Sequence, residues 1–444
     1  MNISLAMPLI ALNVALILTR LRAGVAVYVA LSLLVPHPSI GGTAVAYEIL
    51  ALPVVLLAVV ARRPRLKHPW FHLYLGFFLV VVTLSTILAT TKYGSEVDMI
   101  RFQGLVRFLL VLGLIREVLN RRDIERVFLA VMAVNSAVGL TQLLVPGLAG
   151  TFLRLYGRTG QVPLETYALE DFIPRATGTF TSPVILGSVA LFALAAAWGG
   201  LLSGTRDRRY GWLLVVAGVA GMASLTKTFF IGAPILLLGG LALSAVLGGR
   251  RALRFRPRTA LFAGGSAAVA VALSIWLGVR LERQGFHVAY YAAFLTDPRA
   301  ALATRYGPGG SLSGAVGVIL DNPLLGVGMT RARGEFIGDS TYTLLLHSSG
   351  IAGGVTALVA LVFLLIAIRR RRRPMDMLMV GALLLAGLAL PIVLRLPGAL
   401  ALAYLLAPDS SPASAPWRAL VSRRAAASPV PARAGRAGAN PGPC

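Results

Sequence analysis

Four charged residues in this sequence are candidates for binding a substrate or transferring a proton: Arg175, Lys227, Arg305 and Asp339. An arginine fork binds phosphate oxygens in pairs, and a lysine supplies a compact positive charge. A carboxylate can take a proton from a sugar hydroxyl. If the fold brings the three cations together, they form a pocket for a pyrophosphate, and Asp339 can act on a hydroxyl beside it.

Each of these residues also has a simpler interpretation. A cation at the end of an apolar helix often extends its charge to the lipid headgroups. An aspartate or serine at the start of a helix, as in Asp339-Ser340, is typical of an N-cap. The residues alone leave these alternatives open.

Spaced glycines and a histidine accompany the charges. Residues 321–328 read DNPLLGVG, in which Asn-Pro and the glycines mark turns and close backbone approaches. His347 lies about two turns into the next apolar run, where a lone histidine is more often buried than catalytic. The predicted catalytic residues are Asp339, Arg305 and Arg175, and the predicted substrate-binding residues are Lys227, Tyr342, Gly326, Gly328 and His347.

Two further charges, Glu48 and Arg107, fall within or near apolar runs. An ionisable residue inside a membrane-spanning segment is expensive, and it is therefore a candidate functional residue. The sequence identifies no partner for either of them.

Apolar runs long enough to cross a bilayer must position all of these residues. A spanning helix needs roughly 20 apolar residues. The runs are continuous rather than alternating, which favours helices over a β-barrel. They fall at about 3–19, 23–36, 44–61, 71–91, 104–119, 124–145, 183–203, 210–226, 228–247, 259–280, 341–368 and 375–394, with a weaker run near 396–407. We therefore predict an all-α polytopic integral membrane protein with about 11–13 transmembrane helices.

The first two runs are short, and they are consistent with a hairpin or with two tilted helices. The run that starts at Ile3 has no basic region before it and no small-residue cleavage pattern after it. We predict that it is a retained helix rather than a cleaved signal.

Composition agrees with a membrane protein. Of the 444 residues 57% are hydrophobic and 13% are charged, whereas a soluble domain carries about a quarter charged residues. The net charge of +25 resides in clusters between apolar runs, so it does not indicate nucleic-acid binding. The single cysteine, Cys444, excludes an internal disulfide and a cysteine-rich metal site. A Walker A loop is absent, which argues against an ATP-driven pump.

The basic clusters set the predicted orientation, since basic loops stay in the cytoplasm. The acid-free clusters are Arg62, Arg63, Arg65 and Lys67; Arg250, Arg251, Arg254, Arg256 and Arg258; and Arg369 to Arg373. Two long segments with balanced charge, 146–182 and 281–340, then face the outside. The large segment 281–340 is the main candidate for function, because so long a loop is usually functional.

These assignments divide the chain into six parts. They are N-terminal transmembrane helices 1–145, an extracytoplasmic loop 146–182, central transmembrane helices 183–280, a large extracytoplasmic loop 281–340, C-terminal transmembrane helices 341–407, and a basic cytoplasmic tail 408–444. The tail is rich in Pro, Ala, Ser and Arg, which predicts disorder.

Four short segments occur in a characteristic order along residues 40–395. They are an Arg-x-x-Gly-x-Phe segment from Arg175 to Phe180, the turn Leu225-Thr226-Lys227, an outer loop with Arg305 and the end Pro323 to Gly328, and Asp339-Ser340 separated by nine residues from Gly350-Ile351-Ala352-Gly353. In this order the chain resembles the bacterial O-antigen ligase and O-antigen polymerase family. It departs from the family pattern in having Lys227 for the usual arginine and Asp339 for the histidine of the ligases.

The resemblance implies metal-independent glycosyl transfer on the extracytoplasmic face of the bacterial inner membrane, without a cofactor. The donor in this family is a glycan on undecaprenyl pyrophosphate. The acceptor is a second lipid-linked glycan in polymerases and lipid A-core in ligases. Arg175, Lys227 and Arg305 would stabilise the leaving pyrophosphate, and Asp339 would align or deprotonate the acceptor hydroxyl. Because the histidine of the ligases is replaced by Asp339, we predict a polymerase.

The implied partners are the lipid-linked glycan, the bilayer and other polysaccharide assembly proteins. Three alternatives stay open: a ligase, a transporter of lipid-linked sugars, and a non-catalytic relative. A transporter predicts paired repeats and helices that are discontinuous near mid-membrane.

Overall fold

The computed structural model describes residues 3–36, 39–40, 43–62, 66, 68–145, 148, 151–152, 155–156, 175–180, 182–203, 207–252, 313–330, 340–371, 374–389 and 391–407. Helices dominate these residues, as the continuous apolar runs predict. The helices are α1 (Ile3–Thr19), α2 (Leu21–Leu34), α3 (Tyr47–Ala61), α4 (Pro69–Tyr93), α5 (Met99–Val118), α6 (Arg121–Leu144), α7 (Pro183–Leu202), α8 (Arg208–Ala223), α9 (Lys227–Ala252), α10 (Ser313–Asp321), α11 (Thr341–Arg371), α12 (Pro374–Ala389) and α13 (Leu396–Leu406).

Small elements complete the described part of the chain. A two-residue antiparallel pair, β1 (Ser39–Ile40) and β2 (Thr43–Ala44), lies between α2 and α3. A short 3-10 helix, Pro391–Leu394, lies between α12 and α13. The all-helical prediction is therefore confirmed in outline.

Five helices are long and apolar enough to cross a membrane: Pro69–Tyr93, Arg121–Leu144, Pro183–Leu202, Lys227–Ser244 and Thr341–Ile366. Shorter apolar helices cover Ala6–Thr19, Leu21–Leu34, Tyr47–Ala61, Met375–Leu388 and Leu396–Leu406. The long helix α5 is absent from this set, and its charges Arg101, Arg107, Arg116 and Glu117 are the reason. The predicted run 259–280 lies outside the described residues.

Several helices begin earlier than the apolar runs that predicted them, because their caps and polar first turns precede the apolar residues. The side-chain caps are Asp98 for α5, Asn120 for α6, Ser182 for α7 and Asp207 for α8. Asn120 forms a capping box with Asp123, which satisfies two backbone N–H groups at the helix start. At α8, hydrogen bonds from Arg209 hold the pKa of the Asp207 carboxyl below its ordinary value.

Helix α7 is the centre of the bundle. Every residue from Ile185 to Leu201 is buried, and the helix contacts α6, α8, α9 and α12. Its alanines and glycines permit this close packing. A Cβ on Gly199 would overlap Met375 of α12, and a Cβ on Gly200 would overlap the Tyr210 ring of α8.

A buried polar network joins α6, α8, α12 and α13. Arg121 donates hydrogen bonds to the Asp376 carboxylate and the Tyr404 carbonyl, and its guanidinium lies 4.5 Å from the centre of the Tyr404 ring. Glu125 accepts a hydrogen bond of 2.8 Å from the Tyr210 hydroxyl and one of 3.5 Å from the Tyr404 hydroxyl. We call these five residues the Arg121 network. Its hydrogen bonds connect the four helices to one another.

Candidate functional site

A cavity of about 370 Å³ lies where α2 ends and α3, α5 and α7 begin. We call it the arginine cavity. Its polar lining residues are Ser32, Glu48, Arg101, Arg107, Thr179 and Arg395. The remaining wall is mostly apolar and includes Leu33, Leu105, Phe108, Phe180, Met329 and Leu344. A mostly apolar cavity with a few convergent polar groups is the usual form of a ligand site.

Helix α5 supplies one wall. Arg101, Leu105 and Phe108 follow the spacing that places side chains on one helical face, and all three line the cavity. Arg107, which lies on the helix next to that face, also lines the cavity. Gly104 leaves space on the same face, since a Cβ there would still be 3.9 Å from an Arg107 guanidinium nitrogen.

The charges in the arginine cavity are only partly committed to protein partners. Arg101 Nε lies 3.2 Å from Asp98 Oδ2, and the Asp98 side chain also caps α5 by accepting from the backbone N–H of Arg101. Arg107 Nε donates to the carbonyl oxygen of Gln103 at 3.2 Å. Glu48 interacts electrostatically with Arg107, but within the described ranges no ion pair of 4.0 Å or less and no hydrogen bond engages its carboxylate. Among the described residues, polar atoms of Arg107 and Glu48 are therefore left for a ligand to contact.

The segment from Arg175 to Phe180 forms another wall. Gln142 Oε1 accepts hydrogen bonds from the backbone N–H groups of Thr177 and Gly178, both at 3.0 Å. Asn135 Oδ1 accepts from the Thr179 N–H at 2.8 Å. Two polar side chains of α6 therefore hold the segment, and they place Thr179 and Phe180 in the cavity wall.

Arg175 itself does not line the arginine cavity. It is half-buried, and its Nε has no hydrogen-bond partner in the described part of the chain. The N–H of Ala176 donates to the carbonyl of Ala223 at 3.1 Å. This bond joins the Arg175 segment to the turn that precedes Lys227.

The turn between α8 and α9 is tight and buried. Leu225 has a φ of 46°, which is uncommon for a residue with a side chain. The hydroxyls of Ser224 and Thr226 lie 3.0 Å apart beneath it, and Lys227 begins α9. The fold therefore brings together two segments that the sequence only placed in order, those of Arg175 and Lys227.

The glycine-rich turn at residues 323–328 is inserted at a break in α11. Gly350 has a φ of 56° and a ψ of −155°, which interrupts the helix. The N–H groups of Ile351 and Ala352 donate to the carbonyls of Pro323 and Leu324, at 2.7 and 3.0 Å. In the opposite direction, the Val327 N–H of the turn donates to the carbonyl of His347 at 2.8 Å.

The other side of this turn contacts α4 and the start of α5. The Met329 N–H donates to Thr86 Oγ1 at 2.9 Å, and the Met329 carbonyl accepts from the Asp98 N–H at 2.7 Å. Gly328 has a φ of 63° and lies against the Thr86 backbone. The turn is thereby fixed on two sides, and Met329 reaches the cavity wall.

The remaining predicted site residues have the following positions. Arg305 and Asp339 lie outside the described residues. His347 is 1% exposed, and its Nε2 has no hydrogen-bond partner among the residues with described positions. Tyr342 donates its hydroxyl hydrogen to the carbonyl of Leu384 at 2.9 Å, which links α11 to α12. The substrate contacts assigned to Tyr342, His347 and the two glycines stay predictions.

Sequence reasoning missed part of the arginine cavity. It singled out Glu48 and Arg107 as expensive charges but identified no partner, whereas both line the same cavity. Arg101 and Arg395 were not selected, although each stands at the edge of an apolar run. Arg101 and Arg107 in the first half of α5, together with Glu48, were a usable signal in the sequence. Their convergence with Arg395 depends on helices far apart in sequence.

A second cavity, of about 360 Å³, lies between α3, α4 and α5 and is almost entirely apolar. His72 Nε2 and Glu117 Oε1, which are 3.1 Å apart, stand at its polar end. Within the described ranges, no group of three His, Cys, Asp or Glu side chains is arranged to hold a metal ion.

No family model, curated protein or solved structure matches this chain.

Proposed function

We propose that this protein is a polytopic membrane glycosyltransferase with about 11–13 spans, and that it polymerises glycan repeat units from an undecaprenyl-pyrophosphate donor on the extracytoplasmic face of the bacterial inner membrane. The observation that carries the proposal is the arginine cavity. It combines three guanidinium groups, one carboxylate and apolar walls in a single space.

The direction of the helices supports the placement of this cavity. Helix α3 ends at Ala61, just before the basic cluster that starts at Arg62, and α6 and α8 begin at Arg121 and Arg208. These ends are cytoplasmic if basic loops stay inside. The cavity lies among the opposite ends, at the start of α3 and at the C-terminal end of α2, which supports our proposal that it faces the extracytoplasmic side.

The charges suit a pyrophosphate leaving group. When the glycosidic carbon separates from the donor, negative charge develops on the phosphate oxygens. Preorganised cations stabilise such charge strongly in a water-poor site. Arg107 and Arg395 approach the cavity from different helices, and Arg101 is held there by Asp98. Arg175, Lys227 and Arg305 are proposed to act on the same donor, with Asp339 aligning the acceptor hydroxyl.

One observation favours a second candidate function, transport of a lipid-linked sugar. The candidate span Thr341–Ile366 contains the non-helical residue Gly350, and discontinuous helices are typical of secondary transporters. However, the backbone groups freed at this break are bonded to the turn at residues 323–328. Because the turn fills the break, the break does not require a transported ligand, and we prefer the transferase.

The test uses cells that lack this gene. We expect single repeat units to accumulate on undecaprenyl pyrophosphate in these cells, and wild-type protein to restore long chains. Arg107→Ala and Arg395→Ala should fail to restore them while the protein remains in the membrane. Lipid extraction followed by mass spectrometry gives the chain length on the carrier.

Arg126→Ala is the matched control, because Arg126 is an exposed arginine at the other end of the bundle. It should restore chain length like the wild type. Full-length polymer left on the carrier in the deletion cells would instead indicate a ligase. Repeat units trapped on the cytoplasmic face would indicate a transporter, and an unchanged glycan profile would refute all three functions.

A further inference from the structure

The arginine cavity contains a carboxylate in addition to its cations. Glu48 lies in the first turn of α3, and it is the acidic residue among the described lining residues. The other acid nearby, Asp98, is occupied by Arg101 and by the N–H of that same residue. Asp98 therefore has a structural role as a helix cap and ion-pair partner, whereas Glu48 has no such role among the described residues.

The surroundings of Glu48 leave it able to act on a ligand. Its electrostatic neighbours are Arg107 on α5 and Tyr28 on α2. Neither forms an ion pair or hydrogen bond with it in the part of the chain that the structure describes. An acid that merely balanced Arg107 would be expected to pair with it directly, because an uncompensated charge in a poorly solvated place is costly.

We infer that Glu48 is the catalytic base that removes the proton from the acceptor hydroxyl, which leaves Asp339 with the alignment of that hydroxyl. The inference rests on the proposed function. It follows from the presence of one carboxylate and three guanidinium groups in the lining of one cavity, which lets the hydroxyl and the pyrophosphate occupy that cavity together.

The reaction step balances without a further reactant. The acceptor oxygen forms a bond to the anomeric carbon of the donor while its proton passes to Glu48. The bond between that carbon and the pyrophosphate oxygen breaks, and its electron pair leaves on the phosphate. The arginines compensate the new charge, and the proton on Glu48 then passes to water. Positioned general bases contribute roughly 10²–10⁴-fold to such transfers.

The experiment uses purified full-length protein and the lipid-linked glycan extracted from cells that lack the gene. Glu48→Gln should slow chain elongation by at least about 100-fold. It should keep the protection against heat unfolding that inorganic pyrophosphate gives the wild type, since the arginines remain. Glu48→Ala should regain activity as sodium formate is added, because a small carboxylate can replace the missing base. Glu96→Gln, at an exposed acid outside the cavity, is the matched control and should elongate normally.

Three results would overturn the assignment of Glu48. The first is normal elongation by Glu48→Gln. The second is loss of pyrophosphate protection in that variant, which would make Glu48 a partner that positions Arg107. The third is rescue of Asp339→Ala, instead of Glu48→Ala, by formate. In all three, elongation by the wild type and its loss in Arg107→Ala would leave the proposed function standing. If the wild type itself fails to elongate the extracted glycan, the proposed function and the base assignment both fail.

Discussion

The Arg121 network and the arginine cavity both gather charges from several helices, but they differ in what those charges contact. In the network, Arg121 is bonded to Asp376, and Glu125 accepts from two tyrosine hydroxyls. In the cavity, Arg107 and Glu48 both line a space of about 370 Å³, and no direct bond joins them among the described residues.

This difference separates a structural role from a binding role. Buried charges that satisfy one another hold helices in register, and removing one of them leaves the other uncompensated. Charges that face a cavity stay available and are compensated when a ligand arrives. The comparison therefore predicts opposite responses to mutation at the two places.

The largest effect is expected in the network. Arg121→Met should lower the free energy of unfolding by about 3–5 kcal/mol, because Asp376 becomes a buried charge without its partner. Arg107→Met is the matched variant in the cavity, and it should unfold close to the wild-type temperature. Thermal unfolding of both proteins in the same detergent measures the two losses of stability. Equal losses would contradict the distinction between the two regions.

The glycine turn that forms part of the cavity wall should respond next. An alanine at position 328 must adopt a φ of 63° and displace the Thr86 backbone. Strain and overpacking together should cost about 2–4 kcal/mol. Gly317→Ala is the control, since a Cβ there meets nothing within 4 Å and favours the helix. Thermal unfolding again gives the result, and a stable Gly328→Ala would show that the turn is free to move.

Ligand protection should distinguish the two places directly. Inorganic pyrophosphate at a hundred times its dissociation constant should stabilise the wild type by about 2.7 kcal/mol. Arg107→Met should lose this protection, although its unliganded stability is retained. Tyr210→Phe, which alters only the network, should keep the protection. Loss in both variants would mean that the anion binds elsewhere or that the two regions are coupled.

The smallest effect is expected for that same Tyr210→Phe variant. It removes a hydrogen bond of 2.8 Å to Glu125 but leaves the bond from Tyr404. A hydrogen bond to a charged group is worth about 1.5 kcal/mol at the low end, so the unfolding temperature should fall slightly while glycan elongation stays normal. A loss of elongation larger than the loss of stability would give the network a functional role.

The helical character of this protein and the positions of most helices follow from local sequence patterns. Continuous apolar runs specify helices because only a helix satisfies its own backbone without water. The starts of α5 and α6 moved outward by a few residues, because the polar caps Asp98 and Asn120 precede the apolar runs. The weak run near 396–407 became α13, and the run 375–394 divided into α12 and a 3-10 helix.

Which charges share a site depends on the tertiary structure. Arg395, Glu48 and Arg107 line one cavity because α13, α3 and α5 converge there, and no local pattern encodes that convergence. The same holds for Arg121 and Asp376, which lie far apart in sequence. Local residues decide helix formation through backbone hydrogen bonding and burial. The site depends instead on long-range packing, because its lining residues come from helices that are distant in sequence.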